Sequence, residues 1–207
     1  MNPIAAALLL AASYLLGAAP WGVILGRLFA GTDIRGQGSG STGTTNAYRV
    51  LGAKFSVAVL ILDFVKGMLP VLVAGWLGAG DWVVAAAGVA AVVGHCWSPF
   101  IGFSGGKGVA TGGGAVFALI PWLWFALMVA ILLLTKYMSV ASLAVSLICA
   151  IAAIALSATG ESPWPGTAAV IVIVAIIVYR HRANIARLRT GTELKLSRRS
   201  KGATARA

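Results

Sequence analysis

Apolar runs long enough to cross a lipid bilayer recur along almost the whole chain. A transmembrane helix needs about 20 consecutive, predominantly apolar residues, and in lipid the backbone must pair its own polar groups. Of the 207 residues, 59% are hydrophobic and 10% are charged, and the weak alternating pattern of a membrane β-barrel is absent. We therefore predict an all-α, polytopic integral membrane protein. The apolar segments are 3–29, 51–78, 82–97, 109–135, 138–158 and 164–179.

The distribution of lysine and arginine predicts the topology, because cytoplasmic loops are enriched in both. The chain has no cation before the first apolar segment and many after the last one, so we place the N-terminus outside and the C-terminus in the cytoplasm. This arrangement requires an odd number of spans. Segment 109–135 contains a glycine cluster and Pro121, and we divide it into spans of about 109–120 and 122–136. The prediction is seven transmembrane helices, some of them short or broken.

We predict a single transmembrane catalytic domain over residues 1–193 and a basic, disordered cytoplasmic tail over 194–207. The net charge of +11 lies mainly at the ends of the spans, which favours contact with anionic membrane lipid over nucleic acid. We read the first segment as a retained span, because no basic region precedes it. Cys96 and Cys149 lie in different apolar segments and form neither a disulfide framework nor a metal cluster. We predict no metal and no cofactor.

The first polar loop, GQGSGSTGTTNAYR, is rich in glycine and hydroxyl groups and ends in an arginine. Glycines allow backbone N–H groups to converge on an anion, and the planar guanidinium of Arg49 suits a phosphate. The alternative is a flexible Gly/Ser linker, which leaves the position of Arg49 unexplained. The candidate site residues here are Gly38, Ser39, Gly40, Thr45, Asn46 and Arg49.

The second polar loop, GHCWSPFIGFSGGKGVAT, places a lysine among glycines just before an apolar helix. The N-terminus of a helix with free amides and a cation is a natural phosphate site. The loop is not a Walker A motif, because Ile101 replaces its first glycine and Gly108 follows the lysine. The alternatives are a topology anchor for Lys107 and a structural role for His95. The candidates are His95, Gly105, Gly106, Lys107 and Gly108.

The third cluster, YRHRANIARLRTG, follows the last apolar segment. Its arginines serve as a positive collar that orients the helix. His181 and Asn184 add nothing to orientation, but at i, i+3 spacing they share one helical face and supply directed hydrogen bonds. Ser142 is a further candidate for the lining of a site. Asp63 and Lys66, three residues apart within the second apolar segment, neutralise each other as a functional or a structural pair.

Under the predicted topology, all three clusters lie at the cytoplasmic face. A transporter or channel for a phosphorylated anion also uses glycine loops and broken spans. That alternative needs polar residues through the midplane, where only Asp63 and Lys66 lie. A structural scaffold leaves the Gly-Lys-Gly loop unexplained. An enzyme acting on anionic substrates at the membrane is the preferred hypothesis, and the transporter remains the alternative.

The stretches GSGSTGTTNAYRVLG, LDFVKG, GHCWSPFIGFSGGKGVAT, KYMSVAS and YRHRANIARLRTGTE occur in this order up to about residue 193. In these motifs the chain resembles the bacterial acyl-phosphate:glycerol-3-phosphate acyltransferase family. The resemblance implies transfer of a fatty acyl group from acyl phosphate to glycerol 3-phosphate, giving lysophosphatidic acid at the first step of phospholipid synthesis. It also implies a seven-span enzyme of the bacterial inner membrane, with a cytoplasmic active site, that requires neither CoA nor acyl carrier protein.

Carried over by motif, the resemblance implies that Ser39, His181 and Asn184 are catalytic and that Arg49 and Lys107 bind phosphate. We expect direct transfer without an acyl-enzyme. In that scheme Lys107 and the Gly105–Gly108 amides hold one phosphate and Arg49 holds the other. The chain departs from the usual family pattern at Ser41, Thr44 and Pro99.

Overall fold

The computed structural model describes residues 1–119 and 136–196, and every regular element in these ranges is a helix. The predicted all-α class is therefore confirmed. Short 3₁₀ turns lie at Ile34–Gly36 and Pro99–Ile101. The helices are α1 (Pro3–Gly17), α2 (Trp21–Ala30), α3 (Thr44–Leu51), α4 (Ala53–Trp76), α5 (Asp81–Cys96), α6 (Val109–Leu119), α7 (Met138–Ala158), α8 (Trp164–Arg180) and α9 (Arg182–Arg189).

Within residues 1–119 and 136–196, four helical segments are long and apolar enough to cross a membrane: Pro3–Ala30, α4, Asp81–Ile101 and α7. Helices α8 and α9 together make a fifth candidate, although α9 bends 55° away from α8. Helix α6 is apolar but shorter. The predicted division of segment 109–135 near Pro121 lies outside the described residues, so the count of seven spans stays a prediction, as does the orientation of the termini.

The first apolar segment is interrupted between α1 and α2, at Ala18–Pro20. A break leaves backbone carbonyls without their helical partners, and inside a membrane such groups need other donors. The hydroxyl of Ser98 donates to the Ala18 carbonyl at 2.6 Å, and the Lys66 ammonium donates to the Ala19 carbonyl at 2.7 Å. Both donors come from helices or turns next to the site described below, so the break is tied to it.

Small residues let the central helices pack with their backbones in close contact, as is common between transmembrane helices. A Cβ added to Gly67 on α4 would overlap the Thr111 carbonyl on α6, and one added to Gly114 would overlap the Phe64 carbonyl. Gly17 and Gly94 make the equivalent close approach between α1 and α5. These contacts hold α4 against α6 and α1 against α5.

Replacing Gly67 with alanine is expected to destabilise the protein by about 1–3 kcal/mol, because the added methyl must push two helix backbones apart. Gly75 is the matched control on the same helix, since a Cβ there meets open space. Gly75→Ala should leave stability unchanged or raise it, because alanine is the better helix former. Thermal unfolding in detergent measures both variants, and equal melting temperatures for the two would contradict this account of the α4–α6 contact.

Candidate active site

Five parts of the chain enclose a cavity of about 280 Å³. They are α3 with the loop leading into it, the middle of α4, the turn between α5 and α6 with the helix ends that flank it, the start of α7, and the junction of α8 with α9 together with the segment after it. The polar lining residues are Ser39, Ser41, Thr44, Thr45, Asn46, Arg49, Asp63, His95, Lys107, Ser139, Ser142, His181, Asn184 and Glu193. The clusters that were predicted to converge on one membrane face therefore meet around one space.

Most of the predicted site residues line this cavity, but their roles remain predictions. The lining includes Ser39, Thr45, Asn46, Arg49, His95, Lys107, Gly108, Ser142, His181 and Asn184. Four predicted glycines do not belong to the lining: Gly38, Gly40, Gly105 and Gly106. The hydroxyl of Ser142 donates to the Met138 carbonyl at 2.7 Å within α7, so only its oxygen lone pairs remain for a ligand.

Asn46 acts mainly as an anchor for the first loop. Its amide nitrogen donates to the carbonyls of Ile34 at 2.7 Å and Gln37 at 3.1 Å, and its amide oxygen accepts from the Ser39 backbone at 2.8 Å. The Ser39 amide is thus paired within the loop. Buried Asn46 fixes the loop so that Ser39 and Arg49 both face the cavity.

The backbone amides of the turn that carries Lys107 are hydrogen-bonded to the end of α5. The Gly105 amide donates to the Cys96 carbonyl at 3.2 Å, and the Gly106 amide donates to the His95 carbonyl at 3.1 Å. Both N–H groups are therefore paired within the protein, and the phosphate-binding role of these two residues stays a prediction. Both residues are glycine for steric reasons, because a Cβ on Gly105 would overlap the His95 carbonyl and one on Gly106 would overlap the His95 ring.

Lys107 is the cation that this turn presents to the cavity. The pKa of Lys107 is lowered to about 8, mainly by burial; nearby Glu193 acts to raise the pKa, and Arg187, Arg49 and Arg180 act to lower it. A phosphate next to the ammonium would favour its charged form. The electrostatics of the cavity therefore suit an anionic ligand at Lys107.

The pKa of Lys107 predicts a fall in activity on the alkaline side. In the free enzyme the ammonium is charged below pH about 8 and neutral above it, and a neutral amine attracts phosphate poorly. We expect kcat/KM, which reports groups of the free enzyme, to decline above pH about 8. In Lys107→Arg the guanidinium stays charged, so the decline should move to higher pH. The same alkaline limb in both proteins would exclude Lys107 as its cause.

Arg49 enters the cavity from the other side, at the end of α3. Its guanidinium donates to the carbonyl oxygens of Leu194 at 3.3 Å and Lys195 at 3.5 Å. The Leu196 amide donates to the Lys136 carbonyl at 2.9 Å, so residues 194–196 contact the helical body. These contacts are long or neutral, and a phosphate would offer the guanidinium a stronger, charge-assisted partner.

His181 is buried at the junction of α8 and α9. Its Nδ1 lies 2.8 Å from the Ile177 carbonyl. A carbonyl oxygen only accepts hydrogen bonds, so Nδ1 must carry the proton, and in the neutral ring Nε2 is left as an acceptor. The buried side chain of Asn184 lies one helical turn further on and also lines the cavity. The pair can therefore bind a hydroxyl group directionally.

Glu193 is a charged cavity residue that the sequence analysis missed. Its carboxylate accepts from the Asn184 amide and from Nε of Arg187 at 2.8 Å. Burial raises the pKa of Glu193, but the hydrogen bonds from Asn184 and Arg187 lower it overall, so the group stays ionised. A signal was present, because Glu193 is the only acidic residue after Glu161 in a strongly basic stretch. By accepting this hydrogen bond, Glu193 fixes the side chain of Asn184.

Asp63, Lys66 and His95 form a buried cluster beneath the Lys107 turn. The Lys66 ammonium lies 2.7 Å from the Asp63 carboxylate, and Nδ1 of His95 lies 3.7 Å from it. The predicted pairing of Asp63 with Lys66 is thus present. His95 stands between this pair and Gly106, so the cluster supports the turn as well as lining the cavity.

The fold and this cavity define a class of protein, namely integral membrane enzymes that act on anionic substrates. The chain matches the glycerol-3-phosphate acyltransferase family over residues 7–191, and it belongs to that family. The resemblance seen in the motifs is thereby confirmed, and the chain is an acyltransferase.

Curated relatives and solved structures agree with this assignment. The chain is 42% identical over 198 residues to the glycerol-3-phosphate acyltransferase of Rubrobacter xylanophilus, covering 94% of this chain and 97% of the relative. It is 43% identical over 190 residues to that of Geobacter sulfurreducens, covering 90% and 95%. The crystal structure of PlsY (YgiH), an integral membrane glycerol 3-phosphate acyltransferase, in its glycerol 3-phosphate form has a TM-score of 0.86 at 41% identity and covers 93% of this chain and 96% of that one. Its lysophosphatidic acid form has a TM-score of 0.83 at 39% identity, with coverage of 92% and 95%.

Proposed function

We propose that this chain transfers a fatty acyl group from acyl phosphate to glycerol 3-phosphate, with no need for CoA or acyl carrier protein. We place the reaction at the cytoplasmic face of the bacterial inner membrane. The observation that carries the proposal is the single cavity shared by Arg49, Lys107, His181 and Asn184. It is supported by structural neighbours described in a glycerol 3-phosphate form and a lysophosphatidic acid form.

Both substrates carry a phosphate, and the cavity offers two cations from separate elements. Arg49 extends from α3 and Lys107 from the turn before α6. Two anchors on independent elements hold two molecules side by side, which converts an encounter in solution into a reaction within one complex. Each phosphate meets a cation whether it binds to Arg49 or to Lys107.

The reaction needs little help from a protein nucleophile. The hydroxyl oxygen of glycerol 3-phosphate attacks the acyl carbon, the bond from that carbon to the phosphate oxygen breaks, and the hydroxyl proton goes to a phosphate oxygen. Inorganic phosphate leaves, and the ester remains. Nε2 of His181 orients glycerol 3-phosphate by accepting a hydrogen bond from its second hydroxyl group, and the Asn184 amide helps to hold the substrate in this position.

Ser39 is assigned to substrate binding in direct transfer, without formation of an acyl-enzyme. An attacking serine needs a general base within hydrogen-bonding reach. Within residues 1–119 and 136–196, the Ser39 hydroxyl has no hydrogen bond to His95 or His181. To test this role, the enzyme is incubated with acyl phosphate alone, the reaction is quenched, and the intact mass of the protein is measured. The unmodified mass is expected, and an acyl adduct on Ser39 would refute direct transfer.

The apolar part of the cavity lining suits the acyl chain. It includes Leu60 on α4, Val109 and Ala110 on α6, and Met138 at the start of α7. These side chains suit a hydrocarbon, whereas the cations suit the phosphate at its end. We place lateral entry of the donor between the spans, with the acyl carbon at the boundary of the two environments.

The decisive assay uses the purified protein in detergent with acyl phosphate and glycerol 3-phosphate. We expect equimolar release of inorganic phosphate and lysophosphatidic acid, and no product when acyl-CoA or acyl carrier protein thioesters replace acyl phosphate. A transporter of phosphorylated anions would release no phosphate in detergent. Equal turnover with acyl-CoA would overturn the choice of donor.

A further inference from the structure

The Arg180 side chain donates two hydrogen bonds to the turn that carries Lys107. Its Nη2 donates to the Gly105 carbonyl at 2.8 Å, and its Nε donates to the Gly106 carbonyl at 3.0 Å. Its guanidinium carbon also lies 5.5 Å from the centre of the Trp97 ring, within the range of a cation–π contact. Arg180 ends α8 and does not line the cavity, so it touches the supporting turn and no substrate.

These contacts complete the hydrogen bonding of the two glycines. The amides of Gly105 and Gly106 donate to carbonyls at the end of α5, and their own carbonyls accept from Arg180. The turn is therefore held between α5 on one side and α8 on the other. The next residue along the chain is Lys107. A small movement of this turn would move its ammonium within the cavity.

We propose that Arg180 is a positioning residue for acyl transfer, because its planar fork fixes the Gly105–Gly106 turn and thereby the place of Lys107 relative to His181. The inference deepens the function proposed above and rests on the assignment of Lys107 to phosphate binding. It also revises the sequence interpretation, in which Arg180 belonged only to the orienting collar. Either arginine or lysine can orient a membrane helix, whereas this contact needs two parallel donors, which lysine lacks.

The neighbouring Arg182 is the matched control. It is exposed, and its guanidinium carbon lies 4.6 Å from the centre of the Tyr179 ring. Its one hydrogen bond within the described residues goes to the Tyr179 carbonyl at 3.4 Å. It lies at the same membrane face and contributes equally to the collar. Arg182→Lys is expected to keep kcat/KM within about twofold of the wild type.

Arg180→Lys keeps the collar charge but loses the two-pronged contact. We expect kcat/KM to fall by about 10-fold, and Arg180→Ala to lower it by up to about 10²-fold, the usual cost of a small misplacement of reacting groups. The KM that rises should belong to the same substrate whose KM rises in Lys107→Ala. Thermal unfolding in detergent accompanies each assay, and a loss of activity in Arg180→Lys with an unchanged melting temperature supports the inference.

A double-mutant cycle separates positioning from general support of the fold. If Arg180 acts through Lys107, adding Arg180→Lys to Lys107→Ala should lower the residual activity by less than about twofold, because nothing remains to be positioned. Full additivity of the two losses would overturn the inference, as would wild-type activity in Arg180→Lys. High activity in Lys107→Ala itself would instead overturn the phosphate role proposed for Lys107.

Discussion

Lys107→Ala is expected to lower kcat/KM by roughly 10²–10³-fold, the usual loss on removing one preorganised donor from an active site. The ammonium lies on a turn whose backbone is hydrogen-bonded on both sides, so it is held in place before the substrate arrives. Partial burial also weakens competition from water, which strengthens its attraction to phosphate. Steady-state kinetics with acyl phosphate and glycerol 3-phosphate measure the effect.

Lys54→Ala is the control for charge at the membrane face. Lys54 lies near the start of α4, is exposed and does not line the cavity, and its loss should change kcat/KM by less than about twofold. Lys107→Arg retains the charge in a bulkier form and should keep more activity than Lys107→Ala. Equal activity in Lys107→Ala and Lys54→Ala would show that Lys107 serves only as a topology anchor.

Asp63→Ala is expected to destabilise the protein by about 3–5 kcal/mol, the usual cost of leaving a buried charge without its partner. The side chains of Asp63 and Lys66 are only 2% and 3% exposed, so water cannot replace the lost carboxylate. Both lie near the middle of α4, where an unpaired charge is also costly in lipid. For a protein of this size we expect the melting temperature in detergent to fall by roughly 10 °C.

The double variant Asp63→Ala/Lys66→Met tests this reason for the loss. It removes both charges, so it should be more stable than Asp63→Ala, although it also loses the hydrogen bond from Lys66 to the Ala19 carbonyl. If the double variant is as unstable as the single one, the loss arises from packing around Asp63 and the uncompensated charge is not its cause.

The sequence predicted which polar clusters meet, because membrane topology restricts where they can lie. Arg49, Lys107 and His181 are far apart in the chain, yet the distribution of cations assigned all three to one face, and they line one cavity. The pairing of Asp63 with Lys66 was predictable for a similar reason, since spacing within one helix determines it.

The interactions that the sequence did not predict depend on tertiary contacts. Whether the Gly105 and Gly106 amides are free depends on how the end of α5 packs against the turn, and spacing along the sequence does not report that contact. Arg180 has the sequence signature of an orienting cation, and only its hydrogen bonds to the turn distinguish it from Arg182. Glu193 enters the cavity because the chain folds back after α9.

Chemical modification of Lys107 tests most directly whether this cavity binds the phosphates of the substrates. With a pKa of about 8, the Lys107 amine is partly unprotonated at pH 8 and should react with an amine acylating reagent, read residue by residue by mass spectrometry. We predict that glycerol 3-phosphate or a stable acyl phosphonate protects Lys107, that glycerol and free fatty acid do not, and that exposed Lys54 reacts equally throughout. Unchanged modification of Lys107 with both phosphorylated ligands at saturation would contradict the account.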